Sequence, residues 1–135
     1  MRYSNRSILV IDDDEATNFI TRIVLEDAGF DGELAFFDSA QEALHSLSAP
    51  GAQVPDLIFL DINMPGMDGW EFADEFQQLA ISSQVRVILF STSDSPRDRQ
   101  RAMAHPVILE FLQKPLTPET VSGLLQNYLA NAVSR

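Results

Sequence analysis

Six residues of types that can do chemistry stand just past apolar runs of this chain. Asp12 and Asp13 follow I-L-V-I, Asp61 follows L-I-F-L, Ser91 and Thr92 follow V-I-L-F, and Lys114 follows F-L-Q. Brought to one rim, they would place carboxylates, a hydroxyl and an ammonium in a single cleft. Two carboxylates about 4 Å apart repel by about 4 kcal/mol at an effective dielectric of 20, so the cluster needs a cation or protons. A hard divalent ion with oxygen ligands answers that need, and Mg²⁺ suits a few carboxylates, water and a phosphate. An aspartate carboxylate can also act as a nucleophile and become an aspartyl phosphate. Phosphoryl transfer asks chiefly for neutralised charge around the phosphoryl oxygens, which a metal, an ammonium and a hydroxyl supply. His45 and His105 fall inside or at the end of helical segments and read as surface residues, so neither is placed as a base.

The elements that must carry these residues alternate. Ser7–Ile11 is an apolar, β-branched run, and Leu57–Leu60 is an unbroken apolar run delivering Asp61; both read as strands buried on two faces. Glu33–Phe37, Val85–Phe90 and Val107–Leu112 complete five strands, with Glu110 marking the last as a more exposed edge. Between them lie helical patterns. Phe19, Ile20, Ile23, Val24 and Ala28 form a stripe that Gly29 ends, opposite a polar face of Asn18, Arg22 and Glu26. Ser39 and Glu42 form a capping box for a helix through Leu47, and Phe72, Ala73, Phe76, Leu79 and Ala80 give a third helical face. Trp70 falls off that stripe and reads as a partly covered rim residue. Ser95-Pro-Arg-Asp98 opens a fourth helix to about Ala104, and Thr117-Pro-Glu opens a fifth with the stripe Val121, Leu124, Leu125, Tyr128 and Leu129. Strand and helix in alternation predict an α/β fold: five parallel strands in an open doubly wound sheet, with right-handed crossovers and helices on both faces. In such a sheet the carboxyl ends of all strands share one rim, where ligands bind.

The chain has 135 residues, 45% of them hydrophobic, which fits one domain with one real core. Its formal net charge of −11 argues against nucleic acid and anionic membranes as partners. The absence of cysteine removes disulfides and thiolate chemistry, and no apolar run approaches membrane-spanning length. A cytoplasmic protein is expected.

Four motifs together carry a resemblance: I-L-V-I-D-D-D at Ile8–Asp14, L-I-F-L-D-I-N-M-P-G-M-D-G at Leu57–Gly69, the strand-end Ser91, and Q-K-P at Gln113–Pro115. From Ser7 to about Ala130 the sequence resembles a response-regulator receiver domain of two-component signalling, of the stand-alone type, with residues 1–135 as one domain and no output domain. The resemblance implies a flavodoxin-like (βα)5 fold and a signalling phosphoacceptor, with no enzyme activity beyond its own phosphorylation and dephosphorylation. It implies that Asp61 is phosphorylated. Mg²⁺ would be held by Asp13, Asp61 and the backbone carbonyl of Asn63, with Asp12 acting through water, while Lys114 and Ser91 would bind phosphoryl oxygens. Thr92 is the alternative hydroxyl for a strand end shifted by one, and the spacing to Pro96 favours Ser91. Ser91 and Phe111 would form the switch; Phe111 stands where the family often has tyrosine, so a packing switch replaces a hydrogen-bonded one. A histidine kinase or histidine phosphotransfer protein would donate, and a downstream protein would read the fourth helix, fifth strand and fifth helix. An Asp-nucleophile phosphatase is disfavoured because Asp12-Asp13-Asp14-Glu15-Ala16 lacks the closing Thr or Val of its motif. A flavodoxin-type cofactor binder is disfavoured because three carboxylates would repel a phosphate.

Overall fold

The computed structural model describes residues 2–130. Strands β1 (Ser7–Ile11), β2 (Glu33–Phe37), β3 (Leu57–Asp61), β4 (Arg86–Ser91) and β5 (Ile108–Gln113) form one parallel sheet in the order β2-β1-β3-β4-β5. Helices α1 (Glu15–Asp27), α2 (Ala40–Ser48), α3 (Gly69–Gln77), α4 (Pro96–Ala104) and α5 (Pro118–Leu125) make the crossovers; a 3₁₀ turn spans Ala80–Gln84, and α5 continues into a π-helical turn over Gln126–Ala130. This is the doubly wound architecture that the alternation predicts.

Every residue of β3 is buried, since it is the central strand. Its alternating side chains feed two cores. Leu57 and Phe59 join Ile8, Val10, Ile88 and Phe90 beneath α1 and α5, whereas Ile58 and Leu60 join Leu9, Ile11, Val87 and Leu89 beneath α2 and α3. At the opposite rim from the strand-end carboxylates, Asp56 ties strands together: its side chain accepts from the Ser7 amide at 2.9 Å and from Arg6 at 3.3 Å, and its carbonyl from the Arg86 amide at 3.2 Å.

Five local expectations are corrected. In α1, Phe19, Ile20 and Ile23 are exposed, at 67%, 50% and 42%, and the buried side chains are Thr21, Val24 and Leu25. The helix does end where Gly29 predicts: Gly29 has φ +99°, its amide donates to Glu26 O and the Phe30 amide to Leu25 O, a Schellman closure that seats Phe30 in the core. Trp70 is 6% exposed rather than a rim residue, because the Arg101 guanidinium of α4 lies 4.3 Å above its ring. His105 is half-buried rather than free at the surface: its Nε2 is 2.8 Å from Oδ1 of the exposed Asp74, and its Nδ1 accepts the Val107 amide. His45 is exposed, as expected.

The fourth correction concerns β5, whose strict alternation is broken by a bulge. Val87 pairs with Ile108 and Ile88 with Glu110, so Leu109 is extruded, 44% exposed, and both Ile108 and Phe111 turn to the same core. At α2, Ser39 accepts from the Glu42 amide at 3.2 Å, but the reciprocal capping box forms at Asp68 and Glu71 instead.

Candidate functional site

The strand ends deliver the chemistry-bearing residues to one rim. Asp12 follows β1, Asp61 closes β3, Ser91 closes β4 and Lys114 follows β5. Lys114 is pinned by its backbone, whose amide donates to Ser91 O at 2.7 Å, and its aliphatic stem leads an ammonium 4.7 Å from the Phe90 ring. From there Nζ donates to Asp12 Oδ2 at 2.7 Å and Asp61 Oδ1 at 2.9 Å. Asp12 is fully buried and Asp61 is 6% exposed. Asp12 is held from behind: its Oδ1 accepts the Asp14 amide at 3.0 Å, and its carbonyl accepts Asn18 Nδ2 at 2.9 Å.

The loop after β3 folds back tightly on Asp61. The Gly69 amide donates to Ile62 O at 2.8 Å, and a Cβ at Gly69 would stand 2.4 Å from the carbonyl oxygen of Asp61. Only glycine fits there. Gly66, with φ +75°, lets the same loop turn, and the Asp68–Glu71 box then starts α3.

One ammonium faces three carboxylates. Oxygens of Asp12, Asp13 and Asp61 lie within 4.8 Å of one another, and Asp13 is exposed beside the two buried groups. Burial, the strongest influence, pushes the Asp61 carboxyl above its ordinary range; the Lys114 hydrogen bond opposes this, and the charges of Asp12 and Asp13 reinforce it. Burial also works against the Lys114 charge, yet hydrogen bonds to Asp12 and Asp61 outweigh it and hold the ammonium above its usual range. The donor set fits a hard divalent cation. Mg²⁺ takes oxygen ligands and keeps several waters, so the three carboxylates would hold it at this rim and it would offset their mutual repulsion.

Ser91 is fully buried, and its Oγ accepts the Ser93 amide at 3.0 Å. Thr92 is exposed and lines, with Thr17, Ile20 and Lys114, a cavity of about 220 Å³ between α1 and the β5–α5 loop. Phe111 is buried, with the Arg99 guanidinium 4.9 Å over its ring. Asn63 is exposed on the loop after β3. Reading by residue type passed over Asn18, Phe90 and Gly69. Only Gly69 left a signal, as the last letter of the M-P-G-M-D-G loop.

The family described as "Response regulator receiver domain" matches residues 8–126. The chain is a receiver domain. Receiver domains are the phosphoacceptor modules of two-component signalling, and the five-stranded parallel sheet with five helices is their fold. This receiver domain is 34% identical over 123 residues to the cyclic di-GMP phosphodiesterase response regulator RpfG of Xanthomonas campestris, covering 91% of this chain and 32% of that protein. The chain thus spans about a third of the length of that relative. Among solved structures, a two-component response regulator from Cytophaga hutchinsonii superposes with a TM-score of 0.82 at 30% identity, covering 96% of this chain and 98% of that one. The Mn²⁺-bound form of response regulator Rcp1 superposes with a TM-score of 0.78 at 25% identity, covering 92% and 94%. Among the described residues, no helix of this receiver domain is long and apolar enough to cross a membrane.

Proposed function

We propose that this receiver domain works in the cytoplasm and takes a phosphoryl group onto Asp61 from a phosphohistidine of a histidine kinase or histidine phosphotransfer protein. One observation carries the reading: Lys114 Nζ bridges Asp12 and Asp61 in a cluster of three carboxylates on the sheet rim. In the transfer, an Asp61 carboxylate oxygen forms a bond to phosphorus, the phosphorus–nitrogen bond breaks, and the imidazole leaves with the electron pair. Asp12, Asp13, Asp61 and the Asn63 carbonyl would hold Mg²⁺, which neutralises charge on the phosphoryl oxygens when bound; the Mn²⁺ in Rcp1 supports a divalent ion here. Lys114, already charged and donating two hydrogen bonds into the site, orients and neutralises a further oxygen.

Ser91 Oγ then turns from the Ser93 amide to donate to the phosphoryl group, and Phe111 repacks into the space released. The readout surface is α4, β5 and α5, where Met103 and Leu109 stand 79% and 44% exposed for a downstream protein. Inverting the two-state equilibrium takes roughly 5 kcal/mol, which a few charge-assisted contacts in a buried site provide. Beyond its own phosphorylation and dephosphorylation, the domain turns over no substrate in this reading.

Intact mass spectrometry after incubation with Mg²⁺ and acetyl phosphate or phosphoramidate tests this. The expected result is a gain of one phosphoryl group that is absent with EDTA and absent in Asp61→Asn. A gain that persists in Asp61→Asn, or no gain from any donor, overturns the assignment.

A further inference from the structure

The segment joining β4 to α4 reads Ser91-Thr92-Ser93-Asp94-Ser95, and its three serines are linked hydroxyl to amide. Ser91 Oγ accepts the Ser93 amide at 3.0 Å, and Ser93 Oγ accepts the Ser95 amide at 3.1 Å. Ser95 Oγ in turn accepts the Asp98 amide at 3.4 Å as the N-cap of α4, and the Ser93 hydroxyl donates to Asp98 Oδ2 at 3.3 Å. Each serine side chain therefore fixes the backbone of the next, and the last two fix the first turn of a helix. Local bonds of this type hold short turns in one conformation. The ladder runs without a break from the switch hydroxyl to α4.

α4 is built to respond at that end. Of its side chains only Ala102 is buried, so little apolar area anchors it. Its attachments are polar: Arg101 over Trp70 at 4.3 Å, Arg99 over Phe111 at 4.9 Å, and the terminal His105 on Asp74 at 2.8 Å. A helix held this way shifts as a unit when its N-terminal turn is re-aimed, since no large knob must leave a packed core.

We propose that Ser93 is a positioning residue that couples the Ser91 hydroxyl to α4, through its hydroxyl's paired bonds to the Ser95 amide and the Asp98 carboxylate. The inference rests on the reading in which Ser91 turns to a phosphorylated Asp61. Rotation of Ser91 to another staggered well carries Oγ off the Ser93 amide, releasing that rung. The Ser93 backbone then moves with its hydroxyl still tied to the α4 cap, and the first turn of α4 follows. Without the Ser93 hydroxyl, the Ser91 rotation ends in the loop.

The test compares wild type, Ser93→Ala, Ser93→Thr and Asp98→Ala, each held phosphorylated by excess acetyl phosphate with Mg²⁺ and checked by intact mass. Amide NMR shifts report the site and α4 separately. Fluorescence of Trp70, the single tryptophan, reports the Arg101 contact from α4. In wild type, phosphorylation is expected to move amides at 61–64, 91–93, 95 and 97–104 and to change Trp70 emission. Ser93→Ala and Asp98→Ala should keep the response at 61–64 and 91 and lose it in α4 and at Trp70, while Ser93→Thr restores it. An α4 response in phosphorylated Ser93→Ala equal to wild type overturns the coupling and leaves the Asp61 assignment standing. No mass gain in wild type overturns both.

Discussion

Replacing Asp61 by asparagine should stabilise the metal-free fold, although it deletes a buried ion pair. Asp61 sits 2.9 Å from the Lys114 ammonium, worth about 5.7 kcal/mol at an effective dielectric of 20. It also lies within 4.8 Å of both Asp12 and Asp13, and each of those repulsions costs at least about 3.5 kcal/mol on the same scale. Two repulsions exceed the one attraction by about 1 kcal/mol, and the burial of a charge that is only 6% exposed adds to the deficit. Asparagine keeps the shape and an acceptor for Lys114, which retains Asp12 as its ion pair. The expected gain for Asp61→Asn in EDTA at pH 7 is therefore about 1–2 kcal/mol, or about 3 °C or more in midpoint. The pH dependence has a definite sign. The folded Asp61 carboxyl titrates above its unfolded value of 3.8, so the folded state binds the proton more tightly. Wild type then loses stability as pH rises through that window, and the advantage of Asp61→Asn should shrink as pH falls back through it. Saturating Mg²⁺ should narrow the gap from the other side, because wild type offers one more anionic ligand. Urea denaturation with EDTA and with MgCl₂, at pH 7 and in the acid range, measures all three. A variant less stable than wild type in EDTA at pH 7 would refute the charge accounting.

Two further outcomes follow from the same geometry. Lys114→Met keeps an unbranched chain of similar length but leaves Asp12 and Asp61 without their cation, so in EDTA it should cost roughly 3–5 kcal/mol in urea unfolding, partly restored by Mg²⁺; a loss under about 1 kcal/mol sinks the bridging role. Gly69→Ala puts a Cβ 2.4 Å from the Asp61 carbonyl oxygen and 2.9 Å from Ile62 Cα, so it should cost about 3 kcal/mol and depress uptake of phosphoryl groups from acetyl phosphate. Wild-type stability and uptake in that variant would mean the loop after β3 does not set Asp61.

Residue types along the chain were enough to locate the strands and the rim. Ile8–Ile11 and Leu57–Leu60 are continuous apolar runs that stop on carboxylates, and a strand has only one way to continue such a run into a loop. Once five such strands are parallel, Asp12, Asp61, Ser91 and Lys114 must share an edge, whatever the packing details. The faces of the helices are a different matter. α1 carries apolar residues on two sides, and periodicity cannot tell which side meets the sheet; β1 and α5 select Val24 and Leu25, and leave Phe19, Ile20 and Ile23 in solvent. Trp70 is covered by an arginine 31 residues further along the chain, and His105 is drawn in by Asp74, also 31 residues away. The bulge at Leu109 reverses the inward and outward parity of β5, because register depends on the partner strand and not on alternation within one strand. A local pattern sets what a segment can be, while orientation, coverage and register are pairwise properties that exist once the partner segment has docked.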